Sequence, residues 1–207
     1  DAGPHRREHS VEVQVPFVQV VFPRARIVPI VVGGDDRAQI SRFGRALARL
    51  TADRRVLIIA SSDLSHYPPQ HEAEILDRRT LAAMAAFDPA GLEPPFRPET
   101  TLLAPSVRTT ACGLAPILVA MEAARGLGAT AGTVISYANS GDVAVGDPSR
   151  VVGYGAVVFG RGARSGDYAA ATRPAADGRG TLDRADKRVL VSLARETIDR
   201  YLNTETL

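Results

Sequence analysis

Asp63 and His66 stand three residues apart in Ser61-Ser62-Asp63-Leu64-Ser65-His66-Tyr67. At that spacing a turn brings the carboxylate close enough to orient the imidazole or to stabilise its charge. Such a pair suits general acid or base work. The same residue types also form satisfied turns and helix caps. Position favours chemistry: the cluster follows Val56-Leu57-Ile58-Ile59-Ala60, which reads as a buried parallel strand. Open α/β sheets place their ligands beyond the carboxyl ends of such strands.

A second candidate is Cys112, the one cysteine of the chain, in Thr109-Thr110-Ala111-Cys112-Gly113. A helix capped by Thr109 or Thr110 would place Cys112 in its first turn, where free amides and the helix dipole favour a thiolate. A thiolate can ligate a metal or act as a nucleophile, whereas a buried free cysteine behaves as a small hydrophobe. Hydrolysis by Cys112 with His66 and Asp63 needs the sulfur within about 3 Å of the imidazole. Gly113 is the only glycine beside the cysteine that could help form an oxyanion loop.

A third cluster is His5-Arg6-Arg7-Glu8-His9-Ser10-Val11-Glu12. His9 with Glu8 or Glu12 could supply a ligand and the carboxylate that orients it. The stretch lacks the i, i+4 histidine pair of a zinc helix, and taken alone it reads as solvated surface. His71, followed by Glu72 and Glu74, reads the same way.

Several elements must position these groups. Ser10 can cap a helix kinked at Pro16, although the valines there also suit a strand. Arg26 to Gly33 reads as a buried strand, at an edge or with a bulge because of Pro29. Asp35 or Asp36 can cap a helix to about Leu50 that turns Ile40, Phe43, Leu47 and Leu50 inward. A helix from about Gln70 to Phe87 buries Ile75, Leu76, Leu81 and Met84. Residues 88–108 hold five prolines and read as an irregular loop. The helix to about Gly126 buries Leu114, Ile117, Leu118 and Met121, and strands follow at Gly132 to Ala138 and Val151 to Phe159. Strands alternating with helices predict a largely parallel sheet with helices on both faces.

Composition then changes. Residues 161–181, rich in Gly, Ala, Arg, Ser and Asp, read as a flexible linker after a domain of residues 1–160. Residues 182–207 form an amphipathic helix capped by Asp183, with Val189, Leu190, Leu193, Ile198, Tyr201 and Leu202 on one face. An apolar stripe beyond a linker belongs to a further domain.

The chain of 207 residues has 45% hydrophobic and 23% charged residues, as soluble globular proteins do. The net charge is only +2. Lys187 is the single lysine, and the arginines are scattered without aromatic interleaving, which argues against nucleic acid as a partner. No apolar run approaches the roughly 20 residues of a membrane span, and no secretory signal is evident. One cysteine fits a reducing, cytoplasmic setting. The bias toward Ala, Arg and Gly suits a GC-rich bacterial genome.

Five stretches, taken in order, resemble the Memo family (mediator of cell motility), whose bacterial members are called AmmeMemoRadiSam system protein B. They are Glu8-His9-Ser10-Val11-Glu12-Val13-Gln14-Val15-Pro16-Phe17, Ile27-Val28-Pro29-Ile30-Val31-Val32-Gly33, Ser61 to Tyr67, Thr110-Ala111-Cys112-Gly113-Leu114-Ala115-Pro116-Ile117, and Ser136-Tyr137-Ala138-Asn139-Ser140-Gly141-Asp142. The closing helix, with Leu190-Val191-Ser192-Leu193-Ala194-Arg195, resembles the opening of AmmeMemoRadiSam system protein A. That implies a fusion in which the protein A domain is a partner in cis.

The resemblance implies an α/β fold, a partial three-layer sheet with helices on both faces. It is like that of the class III extradiol dioxygenases, truncated at the N-terminus, with a non-haem iron or copper site. Cys112 then matches the metal-ligand cysteine, His66 with Asp63 the acid/base pair, and His9 beside Glu8 the pocket lining. Two further ligand histidines would lie upstream of Asp1, so no metal is expected to bind tightly to this chain alone. A cysteine where iron dioxygenases use a carboxylate argues against ring cleavage, because thiolate is softer and readily oxidised. The expected role is metal-dependent redox or oxygenase-like chemistry on a small molecule. The alternative is a non-catalytic metal-binding or protein-interaction module.

Overall fold

A computed structural model describes residues 3–92, 110–143 and 145–160. The expected linker 161–181 and helix 182–207 lie outside the described residues, as does most of the proline-rich stretch. The chain divides into two units, with Asp1–Val32 in one and Gly33–Pro174 in the other.

Within the first unit, a 3-10 turn at Glu12–Gln14 leads into helix α1 (Val15–Val21). Pro16 produces no kink: it sits in the first turn of α1, where its missing N–H would have had no partner anyway. Ser10 is not a cap either: the N-cap positions are Val11 for the 3-10 turn and Gln14 for α1, neither with a side-chain bond, and the Ser10 N–H donates to Glu8 Oε1 at 2.6 Å. The stretch Arg26 to Gly33, expected as a buried strand, forms no ladder among the described residues, and Ile27, Val28 and Ile30 are exposed. Its apolar sequence suits burial, but no strand of the described chain lies alongside to pair with it.

The larger unit begins with helix α2 (Arg37–Thr51). Asp36 caps it, accepting from the N–H groups of Ala38 and Gln39 at 2.8 and 3.2 Å, as the Asp-Asp sequence suggested. Ile40, Gly44 and Ala48 form the buried face, which packs against helix α4 (Leu114–Gly126). Leu50, expected inside, is exposed at the frayed end.

Helix α3 (Gln70–Ala85) buries Ala73, Leu76, Asp77, Thr80, Leu81 and Met84 against the sheet. Apart from Asp77 and Thr80 this is an apolar stripe at helical spacing. Phe87 follows at φ +53° and stacks on Phe159 at 5.0 Å between ring centroids.

Strands β1 (Ala131–Asn139) and β2 (Gly153–Gly160) run antiparallel, from Ala131 opposite Gly160 to Asn139 opposite Gly153. The register shifts between Val134 and Ser136, which leaves Ile135 unpaired and exposed. This corrects the expectation of a parallel sheet. A parallel crossover needs a dozen or more residues, usually a helix. Residues 140–152 are long enough for one, but among the described residues they hold only a 3-10 turn at Ser140–Asp142 and an Asp147 turn, in which Ser149 donates to Asp147 Oδ1, in place of a helix. Val56 to Ala60 also departs from expectation: it pairs with no strand among the described residues, and Val56, Leu57 and Ile59 are exposed.

Candidate metal centre

The polar segment after that apolar run is held firmly. Leu64 N–H donates to Gly153 O at 2.9 Å, and Gly153 N–H returns a bond to Ser65 O at 3.0 Å. Tyr67 N–H reaches Val151 O at 2.7 Å, and Val151 N–H reaches Pro68 O at 3.0 Å. His66 therefore faces Val152 in a short antiparallel bridge, so the segment behaves as a strand fragment laid against the lead-in to β2. Within it, Asp63 Oδ2 lies 3.3 Å from His66 Nε2. Both side chains are open to solvent, with 46% and 39% of their surface exposed.

Cys112 arrives from 49 residues downstream of Asp63. It lies two residues before α4, whose N-cap is Gly113, so the placement inside a first turn capped by Thr109 or Thr110 is corrected. The helix starts later because the backbone around Cys112 bonds to the 61–63 segment instead. Cys112 N–H donates to Asp63 O at 3.1 Å, and Asp63 N–H donates to Cys112 Sγ at 3.2 Å. Gly113 N–H donates to Ser62 Oγ at 2.8 Å, and that hydroxyl lies 3.6 Å from Sγ. A Cβ at Gly113 would fall 2.9 Å from both Ser61 O and Ser62 Cβ, so the crossing requires glycine.

One ligand atom each from Asp63, His66 and Cys112 lies within 4.8 Å of the others. A tetrahedral ion with bonds of about 2.0–2.3 Å has ligand–ligand edges of roughly 3.3–3.8 Å. Small side-chain rotations would bring the three atoms onto such an ion. The donor set is one thiol, one imidazole and one carboxylate, a mixture of soft, intermediate and hard groups that suits iron, zinc or copper better than magnesium or calcium. The N–H of Asp63 points at sulfur, as groups do that stabilise a metal-bound thiolate, while the Ser62 hydroxyl donates to Asp63 O at 2.7 Å and so braces the same turn. The sulfur makes no hydrogen bond to the imidazole among the described residues. That disfavours a nucleophile activated directly by His66.

The rim is aromatic and basic. Tyr67 adopts φ +71°, uncommon for a non-glycine residue. Its ring lies 5.5 Å from that of His66 and 4.1 Å from the Arg150 guanidinium. Tyr154 belongs to the same rim: partial burial, then the charge of Asp63, push its phenol upward.

His9 and Glu8 belong to the other unit. There His9 Nδ1 pairs with Glu12 Oε2 at 3.2 Å and is 76% exposed, while Glu8 accepts from Ser10 and is held below the usual carboxylate range by that bond. His71 is exposed.

Comparison with known proteins gives this geometry a lineage. The family profile described as Memo-like protein matches residues 1–158. The chain belongs to the Memo-like family. A MEMO1 family protein of Methanopyrus kandleri is 36% identical over 165 residues, covering 78% of this chain and 55% of the relative. One of Aquifex aeolicus is 39% identical over 160 residues, covering 77% and 57%, and one of Methanosarcina mazei is 37% identical over 158, covering 74% and 55%. The chain thus spans about half the length of the curated relatives it matches. All five motif stretches fall inside the Memo-like match.

Sequence reasoning missed the supports of the site. Asp77 is fully buried, Oδ1 accepting from Ser65 N–H at 2.9 Å and Oδ2 from the Tyr137 hydroxyl at 2.9 Å. Its signal was present: Asp77 lies four residues after Ala73 and four before Leu81, on the apolar stripe of α3, where a charge is costly unless hydrogen-bonded. The motif Ser136 to Asp142 also acts through structure. Asn139 Oδ1 accepts from Gly141 N–H, Asp142 Oδ2 from Asn139 N–H, and Asp142 Oδ1 from Gln70 Nε2. Ser140 exchanges two bonds with Val152, opposite His66.

Proposed function

We propose that Asp63, His66 and Cys112 form part of a Memo-like metal pocket that binds non-haem iron or copper and serves metal-dependent redox or oxygenase-like chemistry. One observation carries the reading: ligand atoms from two segments far apart in sequence meet within 4.8 Å. Bound there, the ion would supply Lewis acidity and one-electron redox chemistry. The chain's own residues would do the rest. Cys112 holds the ion, with its sulfur charge stabilised by Asp63 N–H. Asp63 orients His66 through Nε2 and steadies the imidazolium, and the other ring nitrogen of His66 takes or delivers the proton. Tyr67, Tyr154 and Arg150 line the approach for a small substrate.

The family setting extends the proposal. The parent protein is an AmmeMemoRadiSam protein B with a dioxygenase-like three-layer fold, fused to a protein A domain and working in the cytoplasm. In that parent the additional half carried by relatives supplies further donors, so a chain of their length binds metal tightly and this chain weakly. His9 lines the pocket there.

Titration of iron(II), copper(I) and zinc against both lengths tests the assignment. Cys112→Ser should weaken binding by more than about 100-fold, because loss of a supporting partner alone costs 10–100-fold. Unchanged affinity in Cys112→Ser overturns the site. Oxygen consumption by the iron-loaded long form then decides the role. The exposure of Asp63 and His66 favours, as second reading, a metal-handling module with no turnover, for which consumption stays at the level of free iron.

A further inference from the structure

Asp77 takes no part in the chemistry proposed above, yet it is the one fully buried carboxylate among the described residues. Burying a carboxylate is unfavourable unless donors surround it, and both of its donors lead to the site. Ser65, whose N–H donates to Asp77, is the residue directly before His66. Tyr137 comes from β1, the strand paired with β2.

The backbone of Gly153 closes the third side. A Cβ there would fall 1.8 Å from Asp77 Oδ2, so the strand can approach the carboxylate only as glycine. Gly153 in turn holds Leu64 N–H and Ser65 O. The peptide units of Leu64 and Ser65 are thus gripped between β2 on one side and the Asp77 carboxylate on the other. Removal of the carboxylate takes from the buried Ser65 N–H the acceptor it now has.

From this geometry we infer that Asp77, held by Tyr137, is a positioning residue: it fixes the 63–66 turn so that Asp63 and His66 meet Cys112. The inference bears on how the turn is held, and only its consequence for metal rests on the metal reading. Asparagine should replace Asp77 adequately. Its Oδ1 accepts from Ser65 N–H, and its Nδ2 donates to the Tyr137 oxygen, which accepts as well as donates. Leucine fills the space and accepts nothing.

Hydrogen–deuterium exchange of the full chain without metal reads the effect directly. Asp77→Leu should speed exchange across residues 63–67 by about tenfold or more, because a buried donor is left unpaired, while the amides of α2 and α4 keep their protection. Asp77→Asn should retain wild-type protection in 63–67. Tyr137→Phe should loosen the same residues by a smaller factor. Leu92→Ala, a core truncation outside this network, should lower the melting temperature without selective loss at 63–67. Should Asp77→Leu fail to fold, Asp77→Asn and Tyr137→Phe still decide.

A cobalt(II) titration in a chain of the relatives' length adds the site readout: the thiolate-to-cobalt absorption should persist in Asp77→Asn and fall in Asp77→Leu. Wild type lacking that absorption counts against the metal reading and leaves the exchange result standing. Unaltered 63–67 exchange in Asp77→Leu and Tyr137→Phe, or equal selective loosening by Leu92→Ala, overturns the positioning role.

Discussion

Val56 to Ala60 and Ser61 to Pro68 are contiguous in the chain and have opposite fates. The first is five apolar or small residues and lies largely exposed, with Val56 at 53%, Leu57 at 64% and Ile59 at 50%. The second is mostly polar, yet Leu64, Ser65 and Pro68 are buried and the backbone is bonded on both sides. Apolar composition states what a segment gains if covered; a partner has to arrive to cover it. For Ser61 to Pro68 the partners are Val151 to Gly153, Cys112 and Asp77, all later in the chain. For Val56 to Ala60 none is present among the described residues, and the matched stretch is only 55–57% of relatives that carry further sequence able to supply one.

The sharpest way to break this contrast is to truncate one side chain in each environment. Leu81, 1% exposed at the interface of α3 and the sheet, should cost about 2–5 kcal/mol when changed to Ala. Leu57→Ala should cost less than about 0.5 kcal/mol in this chain. Urea denaturation of both variants checks the pair. In a chain of the relatives' length, the cost of Leu57→Ala should rise into the range of a core leucine, about 2–5 kcal/mol. Equal, small costs at both lengths would show that the run stays uncovered.

Gly153→Ala sharpens the other side. The added methyl must displace the Asp77 carboxylate or the bridge to Leu64 and Ser65, an overpacking expected to cost about 1–3 kcal/mol. It should also loosen residues 63–67 in hydrogen exchange. A variant as stable as wild type, with that exchange unchanged, would show that the close approach of β2 to Asp77 relaxes without consequence.

The same contrast separates what was legible in the sequence from what was not. Local features read correctly where they are set within four residues of each other, as in the Asp36 cap, the stripe of α3 and the Asp63–His66 spacing, whereas α2 turns in Ile40 with Gly44 and Ala48 and leaves Leu50 exposed. Cys112 does lie beside Asp63 and His66, but its helix began later than expected because Asp63 and Ser62 compete for the amides of Cys112 and Gly113. Strand direction read wrongly. The apolar patterns of β1 and β2 carry no polarity, and the information sat in the helix-free, turn-rich connection of residues 140–152. Burial of 26–33 and 56–60 read wrongly because it depends on partners that local pattern does not contain. Asp77 was overlooked although a lone carboxylate on an apolar stripe marks a buried network.

The smallest expected effect contrasts two carboxylates by the sign of their pH dependence. Asp36 is exposed, and the amides of Gln39 and Ala38 hold its carboxyl below the ordinary range. Such a group adds stability above its unfolded pKa that is lost as pH falls through the folded value. Asp77 is displaced the other way. Burial raises its carboxyl, and the opposing bonds from Ser65 and Tyr137, with the more distant charge of His66, only partly offset this. Arg78 lies over the Tyr137 ring at 5.9 Å, and the charge of Glu74 also acts on the Tyr137 phenol. A group with a raised pKa stabilises most below its unfolded pKa, and that contribution is lost as pH rises through the folded value. Asparagine keeps the hydrogen-bonding shape at both positions and removes the titration. Relative to wild type, Asp77→Asn should therefore melt highest near neutral pH and lose that advantage as the pH is lowered toward about 4, near the ordinary carboxylate value. Asp36→Asn should show the reverse, a deficit near neutrality that closes on acidification. Melting curves of the three proteins at a series of pH values measure both slopes, and parallel slopes would mean that Asp77 is not held in the raised state that its burial implies.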